Sequence, residues 1–285
     1  MSNACGASQG YGAFGGPNGV RARGARVTVY PDGPLVVRGE FVLDDAEDGT
    51  IPTDRIVALC RCGRSARKPL CDGSHKFRAR ESVCRFGPLT IHYDATVLEP
   101  RPWTLLQSEW AARLAADAPA GPILELCAGA GQIGLAAAVL ADRDLVQVEA
   151  DPAAARFARA NAARAGWDGR VDVRNDRLQV ALRPGEVFPL VVADPPYLRT
   201  QDVARWPADP LTAIDGGADG LAVIRACLAV SVEHLAAGGH LVLQVAGVEQ
   251  AERVAALAAA MPGFGLHTTE TQVVDDERAV LVLTR

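Results

Sequence analysis

From residue 122 onward the chain repeats one pattern, a short apolar run, a turn, and then a longer stretch of helical character. The runs "PILELC" (122–127), "LVQVEA" (145–150), "RVDVR" (170–174), "LVVADPPY" (190–197) and "HLVLQVA" (240–246) read as strands. Between them "GQIGLAAAVLA" (131–141), "DPAAARFARANAARAG" (151–166) and "DGLAVIRACLAVSVEHLAAGG" (219–239) read as helices. Apolar strands that alternate with helices in this way are parallel, buried on both faces and joined by right-handed crossovers. The larger part of the chain is therefore confined to an α/β class, a doubly wound sheet. The final "RAVLVLTR" (278–285) has no helix after it and returns antiparallel, at or near an edge.

The first part obeys different rules. Residues 1–24 are rich in Gly, Ser and Ala with no apolar period, which predicts a flexible tail. Short β-type runs follow, "RVTVY", "PLVVRGEFVL" and "RIVALC", separated by Pro, Asp and Gly turns. They predict a small β-rich domain over residues 25–82, with little core of its own. A second domain spans 86–285, opening with "LTIHYDATVLE" as a hairpin and "PWTLLQSEWAARLAADA" as a helix with proline near its start.

There is no basic segment followed by an apolar one at the N-terminus, and no run of eighteen apolar residues. We expect a soluble, cytoplasmic protein with no membrane partner. Of the 34 acidic and 29 basic residues, the part after residue 85 holds 25 and 16. That excess of acid disfavours strong nonspecific binding to nucleic acid, which needs clustered Lys and Arg. Seven cysteines is an odd count, and three are crowded together, so a reducing compartment with a metal or cluster site fits better than disulfides. Cys5, Cys84, Cys127 and Cys227 read as free thiols.

Cys60, Cys62, Cys71 and His75 form the pattern C-x-C-x8-C-x3-H. Thiolates suit zinc or iron–sulfur clusters, and imidazole can replace a thiolate on iron. A closed zinc site with three Cys and one His satisfies the same ligands, although C-x-C fits a zinc knuckle of the C-x2-4-C kind poorly. The intervening residues, Ser65, Pro69 and then Cys71-Asp72-Gly73-Ser74-His75, resemble the signature of the CDGSH iron–sulfur family over roughly residues 26–80. That resemblance implies a [2Fe-2S] cluster held by Cys60, Cys62, Cys71 and His75. It also implies an acid-sensitive His ligand and a possible homodimer. Radical S-adenosylmethionine chemistry is excluded by spacing, because no C-x3-C-x2-C loop exists.

In the larger domain "ILELCAGAGQIG" puts Glu125 at a strand end and Gly129 and Gly131 in the turn into a helix, where backbone can approach a ligand closely. Glu149 follows about twenty residues later, a position from which a carboxylate grips ribose hydroxyls, and Asn175-Asp176 ends the next strand. A dinucleotide site would instead show G-x-G-x-x-G around a pyrophosphate. Glu125 ahead of the turn suits a cationic sulfonium ligand better. At the fourth strand's end, Asp194-Pro195-Pro196-Tyr197 presents a carboxylate and carbonyls stripped of neighbouring donors, able to accept from an N–H2 group beside an aromatic face.

These residues resemble the class I S-adenosylmethionine-dependent methyltransferases, and within them the HemK-type protein-glutamine N5-methyltransferases, from about residue 86 to 285. "VLEPRPWT", "NAARAG", "AIDGGADGL" and "LAAGGHLVLQVAGVEQ" add to the likeness. The resemblance implies a seven-stranded, Rossmann-like sheet with the last strand antiparallel. S-adenosylmethionine would lie over Glu125, Cys127, Gly129, Gly131, Glu149 and Asp176, with methyl transfer to nitrogen at Asp194, Pro195, Pro196 and Tyr197. Two features depart from that family. Asp194 stands where Asn is usual, and the cluster domain stands where a helical recognition domain is usual. The acceptor is left as a protein, a nucleobase or a planar small molecule, with Trp103 and Trp206 able to stack on it. The rival reading is a redox or cluster-transfer protein whose larger domain senses a cofactor or binds a partner. His92, His234, His240 and His267 read as surface or packing residues.

Overall fold

The structure, a computed structural model, describes residues 24–30, 33–45, 49–61, 65–73, 81–261 and 265–285. The tail expected over residues 1–24 lies, but for Gly24, outside the described residues. The chain divides into two compact units, one ending at Arg78 and the other beginning at Ala79.

In the smaller unit, β1 (Arg26–Val29), β2 (Leu35–Arg38) and β5 (Ile56–Leu59) form an antiparallel sheet in the order β1-β2-β5. A two-residue pair, β3 (Asp44–Asp45) and β4 (Gly49–Thr50), is tied by the Thr50 hydroxyl donating to Asp44 at 2.8 Å. Among the described residues of this unit only Val57 and Ser65 are buried, so the apolar core that holds a larger domain together is missing.

The larger unit opens with a hairpin of β6 (Ser82–Phe86) and β7 (Leu89–Tyr93). This corrects the expected hairpin over "LTIHYDATVLE", of which only the first half is strand. Asp94 ends β7 because its carboxylate accepts the Thr96 N–H at 2.9 Å, closing a local turn that competes with the ladder. A 3-10 turn over Pro102–Thr104 leads into α1 (Leu105–Leu114). The α/β part then runs β8 (Ile123–Leu126), α2 (Gln132–Ala141), β9 (Leu145–Val148), α3 (Pro152–Arg164), β10 (Val171–Arg174), β11 (Phe188–Ala193), α4 (Leu211–Ile214), α5 (Ala222–His234), β12 (Leu235–Val245), α6 (Gly247–Ala260), β13 (His267–Asp275) and β14 (Arg278–Thr284).

Seven strands pair in the order β10-β9-β8-β11-β12-β14-β13, with β10 to β12 parallel and β14 antiparallel to both its neighbours. Successive strand residues face opposite layers. Ile123, Leu190, Val192 and Val242 join a core with Phe86, Ile91 and Trp110, while Leu124, Val191, Leu241 and Leu243 join another with Ile224, Leu228 and Val254. This two-sided burial is what the apolar runs predicted.

One helix boundary differs from the sequence reading, and two elements were not read. The helix read through residue 239 ends at His234, because Leu235 pairs with Phe188 and begins β12. A side chain at Gly239 would meet the Pro189 carbonyl at 2.7 Å, so this close strand approach requires glycine. Both α6 and β13 are absent from the sequence reading. α6 buries Gly247, Gln250, Ala251, Val254 and Ala258 at helical spacing, whereas β13 is a largely exposed edge strand whose Thr, Glu and Gln give no apolar alternation. Among the described residues no helix is long and apolar enough to cross a membrane.

Candidate active site and metal centre

The turn from β8 to α2 is shaped from below. Glu125, at the end of β8, is buried; its carboxylate accepts the Gly134 N–H at 2.7 Å and the Gln147 Nε2 at 2.6 Å. Gln147 Nε2 also donates to the Gly131 carbonyl at 3.0 Å. Burial pushes the Glu125 carboxyl up to about 8, so near neutral pH it is mostly the uncharged acid. Glu125 thus lies beneath the turn, holding the first turn of α2, and is not in the wall of either cavity described below. Above it, Cys127, Gly129 and Gly131 have φ of 59, 57 and 83°, a left-handed backbone that a side chain makes costly. A side chain at Gly131 would meet Gln147 Nε2 at 2.8 Å, while at Gly129 it would project into open space.

Glu149, at the end of β9, closes the other side. Its two carboxylate oxygens accept the Gly129 and Asp151 N–H groups, each at 2.7 Å, and burial raises its pKa above the usual carboxylate value. With about four acceptor sites on its two oxygens, the carboxylate keeps capacity beyond these backbone bonds. The Asn175 amide fixes the same strand end by donating to the Glu149 and Ala150 carbonyls. A cavity of about 630 Å³ opens here, walled by Cys127, Gly129, Glu149, Arg177, Pro196 and Asp194 among others. Asp176 is not in its wall; it accepts the Arg177 N–H at 2.8 Å. The Cys127 thiol is hydrogen-bonded to that of Cys227 on α5, which together with burial pushes its pKa up. Cys84, Cys127 and Cys227 carry no disulfide, and Cys5 lies outside the described residues.

A second cavity, of about 510 Å³, lies on the other side of Asp194. Tyr197, Trp103 and Trp206 line it, and the guanidinium of Arg278 sits 4.7 Å over the Trp103 ring while pairing with Asp275. Arg101 makes two 2.8 Å hydrogen bonds to Asp209; Arg199 reaches Glu249 at 3.3 Å and Arg205 reaches Glu277 at 3.0 Å. Leu98, Asp194 and Ala213 are common to both cavities. Asp194 therefore stands between them, and burial pushes its carboxyl up to about 7. The corner fits tightly against the loop before α5. A side chain at Gly216 would meet the Pro196 carbonyl at 2.7 Å, and one at Gly220 the Tyr197 carbonyl at 2.5 Å. Sequence reasoning missed Leu98, Arg101 and Arg278 as lining residues. They come from the segment before the core and from β14, and no spacing links them to Asp194.

In the smaller unit, Cys60 follows β5 and its N–H donates to the Pro69 carbonyl at 2.8 Å, while the Cys71 N–H donates to the Ala58 carbonyl at 2.7 Å. An antiparallel bridge between Leu59 and Leu70 brings both cysteines to one end of the sheet. The Ser65 hydroxyl donates to the Leu70 carbonyl at 2.6 Å, Asp72 accepts the Ala66 N–H at 2.9 Å, and Gly73 turns at φ 90°. The loop's Ser, Asp and Gly thus set its path. Cys62 and His75 lie outside the described residues.

Comparison with known proteins matches both units. Residues 32–76 match the domain described as "Iron-binding zinc finger CDGSH type", and residues 110–206 match "Conserved hypothetical protein 95". The release factor glutamine methyltransferase of Clostridium acetobutylicum is 30% identical over 178 residues, 60% of this chain and 62% of that protein. The ribosomal protein uL3 glutamine methyltransferase of Bordetella pertussis is 32% identical over 164 residues, 54% of each. The chain therefore spans a little over half the length of these curated relatives. Among solved structures, the 16S rRNA N2 methyltransferase RsmC of T. thermophilus, in complex with AdoMet and guanosine, superposes with a TM-score of 0.53 at 20% identity, covering 72% of this chain and 50% of that one. The likeness shows a shared methyltransferase fold.

Proposed function

We propose that the larger unit is an S-adenosylmethionine-dependent N-methyltransferase acting on an amide or amine nitrogen, and that the smaller unit holds a [2Fe-2S] cluster through Cys60, Cys62, Cys71 and His75. The observation that carries the first part is the position of Asp194, the one ionisable residue among the three common to both cavities. A donor in one and an acceptor in the other would meet across it.

The residues present fit the cofactor. The first cavity lies within the range of about 300–1,000 Å³ usual for such ligands. Gly129 leaves open space where a side chain would intrude, and Glu149 keeps free lone pairs for ribose hydroxyls. When bound, the cofactor supplies an electrophilic methyl group on a sulfonium. The protein's part is orientation. Asp194 and the Pro195 carbonyl accept from the acceptor's N–H groups, which aims the nitrogen lone pair away from them and toward the methyl donor. As nitrogen gains the methyl group and positive charge, the Asp194 carboxylate stabilises that charge and takes the proton, which its raised pKa favours. Tyr197, Trp103 and Trp206 offer flat apolar surface to the group that bears the nitrogen.

For the acceptor, the relatives named for glutamine methylation support a side-chain amide on a protein. The three aromatic residues of the second cavity favour a second reading, a planar amine such as a nucleobase. In the smaller unit the donor set, three thiolates and an imidazole, suits an iron–sulfur cluster, and the two described cysteines already share one end of the sheet.

Calorimetry with S-adenosylmethionine, followed by transfer of a labelled methyl group to lysate protein and RNA pools, tests the proposal. Asp194→Ala is expected to abolish transfer and leave cofactor affinity nearly intact, since the glycine turn and Glu149 supply the main cofactor contacts. Tight cofactor binding with no transfer to any pool would favour the cluster-transfer reading instead.

A further inference from the structure

The Asp194–Tyr197 corner lacks amide donors at both prolines. It cannot be anchored by hydrogen bonds donated from its own centre, so its flanking carbonyls need donors from elsewhere. Each end has one, and each is a buried glutamine. Before the corner, the Ala193 carbonyl accepts from Gln107 Nε2 at 2.8 Å, and the same amide reaches the Val242 carbonyl on the adjacent strand at 3.0 Å. After it, the Tyr197 carbonyl accepts from Gln250 Nε2 at 3.0 Å, and that amide also reaches the Gly220 carbonyl at 3.2 Å. Gln250 Oε1 is itself fixed, accepting the Ala246 N–H at 2.7 Å. Gln107 lies on α1 and Gln250 on α6, on opposite sides of the corner in sequence.

The one amide nitrogen of Gln107 spans two carbonyls, one at the corner and one on the adjacent strand, so it ties the corner to the sheet. Neither residue lines the first cavity, and Gln250, which borders the second, has its amide nitrogen engaged by the Tyr197 and Gly220 carbonyls.

We propose that Gln107 and Gln250 are positioning residues for the methyl transfer, clamping the two ends of the corner so that the Asp194 carboxylate and the Pro195 carbonyl point at the acceptor nitrogen. The inference rests on the methyltransferase reading above. A misplacement of about 1 Å in such a reaction costs roughly 100-fold in rate, so a clamp acts on turnover before it acts on binding.

The test is Gln250→Glu in the full-length chain. A carboxyl group there still accepts from Ala246, but it donates to the Tyr197 carbonyl only while protonated. Turnover relative to the native chain at each pH is expected to fall about 100-fold at high pH and to recover as pH is lowered. Cofactor affinity, measured by calorimetry with S-adenosylmethionine, is expected to stay within threefold throughout. A ratio that does not change with pH, or cofactor affinity lost in step with turnover, overturns the clamp. Gln107→Met, which removes the other donor without adding charge, is expected to lower kcat at unchanged cofactor affinity, and unchanged kcat overturns its role.

Hydrogen exchange gives a readout that needs no acceptor. The Leu198 N–H donates to the Ile214 carbonyl at 3.0 Å, and its exchange is expected to quicken in Gln250→Glu as pH rises beyond the intrinsic effect. If that occurs while the native chain methylates nothing, the clamp stands and the methyltransferase reading falls. Native-like protection at Leu198 overturns the clamp whatever the activity.

Discussion

The Gly134 N–H donates to Glu125 Oε1 at 2.7 Å, and a methyl group on Gly134 would stand 2.4 Å from Glu125 Oε2. The first turn of α2 is thus seated on a buried carboxyl group with no room for a side chain between them.

Gly134→Ala must push either helix or carboxyl aside. Small-to-large changes at packed sites cost about 1–3 kcal/mol, and this one is expected to lower the urea midpoint accordingly. S-adenosylmethionine affinity should fall with it, because α2 carries the glycine turn. A variant with native stability and native affinity would show that the seat is compliant.

Glu125 also sets a pH dependence. Its carboxyl lies at about 8 in the fold against an ordinary value of 4.5, so between those values the folded chain holds a proton that the unfolded chain has released. Its contribution to stability therefore falls as pH rises through that window. Glu125→Gln has no such proton, and the urea midpoint of the native chain is expected to decline relative to the variant from about pH 4.5 to 8. Parallel curves would place the titration elsewhere.

Asp194, with its carboxyl at about 7, must be ionised to accept the acceptor's proton. The rate is expected to rise with pH up to about 7 and then level. Asp194→Asn retains a carbonyl acceptor but cannot take a proton or balance charge. It is expected to be slower by about 100-fold, with a flat pH profile. A rising limb that survives in this variant would belong to another group.

The cluster proposal predicts visible absorption in freshly purified protein, lost in Cys60→Ser and Cys71→Ser. Protonation of the His75 imidazole competes with its bond to iron, so acidification is expected to bleach the native chain, and His75→Cys should resist. Zinc in place of iron would leave every one of these proteins colourless.

Periodicity and composition made most of the fold legible. The apolar runs at Ile123–Leu126, Leu145–Val148 and Phe188–Ala193 are buried on both faces, and a strand so placed reads as an uninterrupted apolar stretch. β13 was not legible because an edge strand exposed to solvent needs no such run, and the start of β12 was hidden because helix-forming Leu and Ala there yield to pairing with β11.

The site divides in the same way. Asp194-Pro195-Pro196-Tyr197, the glycine turn, Glu149 and the Cys/His pattern are local, so the sequence alone determined their presence and the chemistry they can offer. Glu125 was visible too, but that it seats the first turn of α2 depends on Gln147 and Gly134 being brought against it. The same holds for Arg278 over Trp103 and for the two glutamines at the corner. Each joins residues from separate elements, and only the packed sheet decides which distant side chains arrive within hydrogen-bonding reach.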